Sequence, residues 1–143
     1  MDTNFLLRFV DRKSSLNPVT RNVRKKLRAN GDKLTITPQN CIEFWNVATR
    51  PAVKNGFGLT PTYANRLLQL IERLFPLLPD TPVIYPEWRR LVVKYSVSGV
   101  QVHDARLVAS MKVNSVTHIL TFNTIDFTRY VAEGIMAVDP STV

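Results

Sequence analysis

Two adjoining stretches decide the fold of this chain: Val102-His-Asp-Ala-Arg-Leu-Val-Ala-Ser-Met111 and Val116-Thr-His-Ile-Leu-Thr-Phe-Asn-Thr-Ile-Asp-Phe127. The first has the periodicity of a helix that begins at an acid, with apolar side chains three, four and seven residues after Asp104. The second is an apolar run that leads into a polar segment, which is typical of a strand followed by a loop. Because such loops meet at the carboxyl edge of a parallel sheet, where α/β proteins bind ligands, we expect Asp104 and Asp126 to face one crevice.

The composition is that of an ordinary globular protein. Of the 143 residues, 45% are hydrophobic and 21% are charged, and this length predicts a single domain over residues 1–143. The lone Cys41 excludes an internal disulfide framework and a cysteine-based zinc site, and it fits a reducing compartment. Asp2 and Arg8 interrupt the apolar start of the chain, and no run is long enough to span a membrane. We therefore expect a soluble, cytoplasmic protein.

The chain is basic, with a formal net charge of +8. Much of this charge lies in a predicted helix that starts at Asn17-Pro18, at Arg21, Arg24, Lys25, Lys26 and Arg28. A basic helix can lie along a phosphate backbone and bind RNA. It can also be a solvated surface that serves solubility alone, and the sequence leaves both interpretations open.

Strands and helices alternate along the rest of the chain. Short strands are predicted at residues 34–37 and 135–138, and helices at about 39–49, 60–75 and 86–96, whereas residues 81–85 suit a strand or a connector. This alternation predicts an α/β fold with three α/β/α layers and a mainly parallel sheet.

Four acids occupy comparable places in this scheme, namely Asp2, Glu43, Asp104 and Asp126. Taken alone, Asp2 suits a helix N-cap or a terminal acid, and Glu43 suits a partner of the helix dipole. Together they predict a pocket of carboxylates at one sheet edge. Gathered carboxylates repel each other unless a cation is present, and oxygen ligands favour Mg²⁺ or Mn²⁺.

Other catalytic patterns are missing. His103 and His118 stand without a second cysteine or a Gly-x-Ser-x-Gly nucleophile, and there is no Gly-x-Gly-x-x-Gly or Gly-Lys-Ser/Thr phosphate loop. A phosphatase of the haloacid-dehalogenase type would need a second aspartate two residues after Asp2, where Asn4 stands.

Four motifs carry a resemblance to a known family: Asp2-Thr-Asn, Cys41-Ile-Glu-Phe-Trp-Asn-Val, His103-Asp-Ala-Arg-Leu-Val-Ala and Leu120-Thr-Phe-Asn-Thr-Ile-Asp-Phe. In this order, over nearly the whole chain, they resemble the PIN domain and in particular the VapC-type toxin nucleases. The resemblance implies a metal-dependent endoribonuclease in which Asp2, Glu43, Asp104 and Asp126 hold Mg²⁺ or Mn²⁺. It also implies that Asn4, Thr121 and Asn123 line the site.

The same resemblance implies partners. These are an RNA substrate and a small antitoxin protein. Whether the chain also forms a homodimer is left open by the sequence. The alternative function is a non-catalytic nucleic-acid-binding module of the same fold with an incomplete active site.

The sequence departs from the family at its start. PIN domains have a central strand of several apolar residues before the first acid, and here only Met1 precedes Asp2. The first strand is thus expected to be missing or truncated, and the hypothesis favoured here is that the true start lies upstream of Met1. Under this hypothesis, expression with the upstream in-frame codons restores cooperative thermal unfolding.

Overall fold

Six α-helices accompany a small parallel sheet in the computed structural model, which describes residues 1–143. The helices are α1 (Thr3–Val10), α2 (Asn17–Ala29), α3 (Pro38–Thr49), α4 (Pro61–Leu74), α5 (Ile84–Lys94) and α6 (Gln101–Val113). The strands are β1 (His118–Leu120) and β2 (Met136–Val138), and short 3₁₀ helices cover Ala52–Lys54, Thr124–Glu133 and Pro140–Thr142. This is the α/β class that the alternation of elements predicted, with more helix and less strand. None of the helices has the length and apolar character to cross a membrane.

Three helices begin where proline and capping signals predicted. Pro18, Pro38 and Pro61 lie in the first turns of α2, α3 and α4, where a missing N–H leaves no hydrogen bond unmade. Thr37 caps α3 in a capping box, in which its hydroxyl accepts from the Asn40 N–H and the Asn40 side chain accepts from the Thr37 N–H. This cap fixes the start of α3 and therefore the position of Glu43 in its second turn.

The sheet is smaller than predicted. β1 and β2 run parallel, with His118 opposite Met136 and Leu120 opposite Val138. The predicted strand at residues 34–37 is reduced to a single parallel bridge between Ile36 and Leu77. A strand needs a continuous partner on at least one side. This segment has only isolated contacts, to Leu77 on one side and to Met1 on the other.

Met1 lies between the residue 34–36 segment and β1. Its nitrogen donates to the Thr35 carbonyl at 3.0 Å, and the Asp2 N–H donates to the Leu120 carbonyl at 2.9 Å. Two residues are too few for a strand, and an open groove of about 480 Å³ continues alongside Met1 between residues 34–35 and 116–118. The chain therefore has two sheet fragments that only Met1 and Asp2 connect.

Two hydrophobic clusters of 11 buried residues each form the core. The first cluster is built mainly from α1 to α4, with Phe5, Leu6 and Phe44 at its centre. The second is built mainly from α5, α6 and the 3₁₀ helix Thr124–Glu133. Strand β1 contributes to both, since Leu120 belongs to the first cluster and Ile119 to the second. β1 thus lies at the boundary of the two clusters.

The structure can be compared with two local predictions, for the segment before α5 and for the residues around Asp126. Residues 81–83 connect α4 to α5 without forming a strand, because α5 already begins at Ile84. Asp126, which the sequence placed in a loop, lies in the first turn of the 3₁₀ helix Thr124–Glu133. That helix ends at Gly134, whose φ of +79° is easily adopted only by glycine.

Candidate active site

The four acids come from four different elements. Asp2 is the N-cap of α1, Glu43 lies in α3, Asp104 lies in the first turn of α6, and Asp126 lies in the 3₁₀ helix that follows β1. Asp2 and Asp126 follow residues that lie in or beside the sheet, and Glu43 is on the helix that follows Ile36. In a parallel arrangement these positions lie toward the carboxyl edge of the sheet.

The electrostatics of Asp104 indicate that the other three acids lie near enough to affect its charge. Burial, followed by the negative charges of Asp2, Asp126 and Glu43, raises the pKa of Asp104 from 3.8 to about 6. Burial also raises the pKa of Asp2, to which the charge of Glu43 adds, while hydrogen bonds from Thr121 and Thr3 oppose the rise. The six ion pairs of the protein use only Glu87, Glu133 and Asp80 as acids. None of the four site acids forms an ion pair, and the nearest positive groups, the Met1 ammonium and His103, lower the pKa of Asp2 and of Asp104 less than burial raises it.

Thr121 holds the Asp2 carboxylate in place. Asp2 accepts from the Thr3 N–H at 2.6 Å and from the Thr121 hydroxyl at 2.8 Å. The fully buried Thr121 oxygen in turn accepts from the Asn123 N–H at 3.0 Å and from the Asn4 side-chain amide at 3.3 Å. The Thr121 hydroxyl thus connects the three residues that were predicted to line the site, Asn4, Thr121 and Asn123. Asn4 takes part through its side chain and the exposed Asn123 through its backbone N–H.

Glu43 is oriented by two residues. Its carboxylate accepts from the Thr3 hydroxyl at 2.6 Å and from the Gln39 side-chain amide at 2.7 Å. The same Gln39 nitrogen donates to the His103 carbonyl at 2.8 Å, and its oxygen accepts from Arg106 at 3.2 Å. Gln39 therefore links Glu43 on α3 to the start of α6, next to Asp104.

Thr3, Gln39 and Arg106 were not predicted from the sequence as site residues. A signal existed for Gln39, because it precedes Glu43 by four residues and so lies on the same face of α3. Arg106 follows Asp104 by two residues and so points away from it on a helix. Its guanidinium instead binds Asp80, at 2.8 and 3.1 Å.

The acids converge without closing on one point. No three His, Cys, Asp or Glu side chains are grouped closely enough to hold a metal ion in this arrangement. The donor set itself consists of carboxylate, hydroxyl and amide oxygens with no thiolate, which suits a hard divalent cation.

The basic residues of α2 do not share one role. Arg21 lies over the Phe9 ring at 5.3 Å and Arg24 over the Phe75 ring at 5.8 Å, while Lys26 donates to the Val143 carbonyl at 2.8 Å. Lys25 and Arg28 are exposed. Arg24 and Arg28 line a groove that none of the four site acids lines.

A first prediction concerns the Thr121 hydroxyl. Thr121→Val keeps the shape of the side chain but removes the only side-chain hydrogen bond to Asp2 from outside its own turn. We expect a loss of about 1–2 kcal/mol in the free energy of unfolding, because the Asp2 carboxylate stays buried with one partner fewer. Urea unfolding at pH 7.5 measures this. Thr121→Ser retains the hydroxyl and should lose less, and equal losses in the two variants would contradict a role for the hydrogen bond.

Taken together, the fold and the site define an α/β protein with a small parallel sheet and four neighbouring acids that come from four different elements. The PIN domain family model matches residues 1–132, and the chain belongs to that family. Among solved structures, the fold is similar to a chain of VapBC-1 from nontypeable Haemophilus influenzae, with a TM-score of 0.67 and 14% identity over 98% of this chain and 96% of that chain. No curated protein sequence matches the chain.

Proposed function

We propose that this protein is a metal-dependent endoribonuclease that hydrolyses RNA phosphodiesters, and that it is the toxin of a toxin–antitoxin pair. The observation that carries the proposal is a set of four acids from four elements, three of which raise the pKa of the fourth and none of which forms an ion pair. Burying like charges together is unfavourable, so a folded protein that retains such a pocket has a use for a cation there. Membership of the PIN domain family supports this use.

In this proposal Asp2, Glu43, Asp104 and Asp126 hold Mg²⁺ or Mn²⁺. When bound, the cation supplies charge stabilisation to the phosphodiester and activates water for attack. Thr121 keeps the Asp2 carboxylate fixed, and Gln39 and Thr3 do the same for Glu43. Such residues raise metal affinity by orienting the ligands before the ion arrives.

The partners are also part of the proposal. The similarity of fold to a chain of VapBC-1 supports a small antitoxin protein as the binding partner. A homodimer is proposed as well. The organisation of residues 1–143 as a single domain stays a prediction, and a single cooperative unfolding transition followed by two spectroscopic probes would support it.

Cleavage of RNA tests the proposed function directly. A mixed RNA pool is incubated with the purified protein in Mg²⁺, in Mn²⁺ and in chelator, and the products are sequenced at their ends. Fragments with defined ends that appear only with the metal are expected. Equal cleavage in chelator, or none under any condition, would contradict the proposal.

A second prediction concerns stability in the presence of the metal. A ligand that binds only the folded state at ten times its Kd adds about 1.4 kcal/mol, which corresponds to a rise of roughly 4 °C in Tm for a domain of this size. We expect this rise with Mg²⁺ against Na⁺ at equal ionic strength. Asp104→Asn should show no such rise, whereas an equal rise in that variant would place the ion elsewhere.

One observation favours a second candidate function. Since no three of the acids are close enough together to hold an ion, the chain can instead be a PIN-like module that binds nucleic acid without cleaving it. The two candidates differ in their expected results. The module binds RNA equally well in chelator and in Mg²⁺, shows no rise in Tm with the metal, and produces no fragments.

A further inference from the structure

A basic groove lies at the opposite end of the sheet from the acids. It has a volume of about 360 Å³ and is formed by the C-terminal ends of α2 and α4 together with residues 31–34. Four cationic side chains line it, namely Arg24, Arg28, Lys33 and Arg73, and Asp32 is the one acid among the lining residues. This set of residues is called the basic groove below.

The four cations are free to bind a ligand. None of them takes part in an ion pair. Arg28, Lys33 and Arg73 are exposed, and Arg24 is held in place because its guanidinium lies over the Phe75 ring. A guanidinium that is already positioned loses less conformational entropy when it binds a phosphate, and it can do so through two parallel hydrogen bonds.

The basic groove is separate from the acid pocket. Lys33 lies before the extended segment that contains Ile36, and Pro76 lies before Leu77, so the groove is at the amino ends of these two paired segments. The acids follow the carboxyl ends. Four residues of extended chain from Lys33 to Thr37 span about 13 Å, and none of the four acids lines the groove.

We propose that the basic groove binds the sugar–phosphate backbone of RNA, as a contact surface distinct from the acid pocket. The inference rests on the proposed function only in taking RNA as the ligand. A linear polyanion presents phosphates at regular intervals, so one strand can bind several cations of the groove and release their counterions together. The groove then anchors a strand whose neighbouring segment reaches the acids.

The same side chains have another explanation. Arg28 and Arg73 lie in the last turns of α2 and α4, where basic residues interact favourably with the helix dipole. A dipole role alone predicts that their removal lowers Tm and leaves RNA binding unchanged. The two roles are therefore distinguishable by experiment.

The test compares two variants with the same loss of charge. One is Arg28→Gln/Lys33→Gln/Arg73→Gln, and the matched control is Lys54→Gln/Arg66→Gln/Arg89→Gln, which removes three exposed cations that belong to no ion pair and do not line the groove. Binding of a fluorescent 20-nucleotide single-stranded RNA is measured by anisotropy at several salt concentrations, in chelator. Chelator removes cleavage, so failure of the nuclease proposal does not affect this measurement.

We expect the groove variant to bind RNA at least about tenfold more weakly, with a salt slope smaller by about 2, since each phosphate contact on a single strand contributes roughly 0.7. The control variant is expected to stay within about twofold of the parent protein. Equal weakening in both variants, an unchanged groove variant, or no binding by the parent protein would overturn the proposal. Competition by polyglutamate as effective as competition by RNA of equal charge would also overturn it, because the groove would then bind acidic polymers in general.

Discussion

Replacement of Asp104 by asparagine is expected to lower Mg²⁺-dependent RNA cleavage by at least about 100-fold, which is more than the roughly 10–100-fold expected for a residue that only orients a ligand. Asparagine has nearly the same size but a neutral oxygen, so the change removes charge and little else. Asp104 is the acid on which the charges of the other three act most clearly. End-labelled RNA and single-turnover conditions measure the effect.

The same variant is expected to be at least as stable as the parent protein when no metal is present. The pKa of Asp104 is about 6 in the folded protein and 3.8 when unperturbed, so the folded state holds the proton more tightly. The parent protein therefore loses stability as the pH rises from 3.8 to about 6. Asp104→Asn avoids this loss, and its advantage in Tm should be present above pH 6 and vanish below pH 3.8.

Glu72→Gln is the matched control for Asp104→Asn, because Glu72 is an exposed acid on α4 that takes part in no ion pair. It should cleave RNA at the rate of the parent protein. Cleavage by Asp104→Asn at the parent rate would remove Asp104 from the site. A large loss of stability in that variant would show that Asp104 is a structural cap of α6.

The second large effect is expected at Glu133, the last residue of the 3₁₀ helix that carries Asp126. Its side chain is only 6% exposed and accepts from Arg90 at 2.6 Å, Lys112 at 2.6 Å, Lys94 at 2.8 Å and the Tyr95 hydroxyl at 2.9 Å. Arg90 and Lys94 lie on α5, Tyr95 directly follows it, and Lys112 lies on α6. The Glu133 carboxylate therefore connects the 3₁₀ helix to both α-helices of the second cluster.

Glu133→Gln is expected to lower the free energy of unfolding by about 2–3 kcal/mol, because three cations lose their common partner. The estimate is below the figure for fully buried pairs since Arg90 and Lys94 are 42% and 50% exposed. The loss corresponds to a fall of about 6–9 °C in Tm at roughly 3 °C per kcal/mol.

The effect of Glu133→Gln should depend on pH. The hydrogen bonds from Arg90 and the two lysines hold the pKa of Glu133 well below its ordinary value of 4.5. A carboxylate with a lowered pKa stabilises the protein above pH 4.5, and this contribution is lost as the pH falls through its folded pKa. Calorimetry at pH 7 and near pH 3 should therefore show a larger difference at pH 7, and a constant difference would contradict this account.

Much of the site could be predicted because its acids follow local rules. Asp104 opens a helix and Asp126 follows a strand, and both positions reach the carboxyl edge in any parallel α/β arrangement. Proline and threonine signals fixed the starts of α3 and α4 within two residues of the observed positions. The fold class and the PIN domain resemblance were confirmed by the family model, whereas the assignment of the four acids as metal ligands stays a prediction.

The rest depends on contacts between distant parts of the chain. The orientation of Glu43 is set by Thr3, which lies 40 residues earlier in the sequence, and no local pattern contains that information. The segment at residues 34–37 alternates as a strand does, yet its extent is decided by how many neighbours it can pair with. The sequence analysis treated the basic residues of α2 as one group. In the structure, Arg24 and Arg28 line the basic groove together with Lys33 and Arg73.

The position of β1 between the two hydrophobic clusters has a mechanical consequence. Asp2 and Glu43 are carried by helices of the first cluster, and Asp104 and Asp126 by elements of the second. A cation held by all four acids would link the two hydrophobic clusters, so that separating the clusters would also release the ion. Local opening at this boundary would separate Asp2 and Glu43 from Asp104 and Asp126 while each cluster stayed folded.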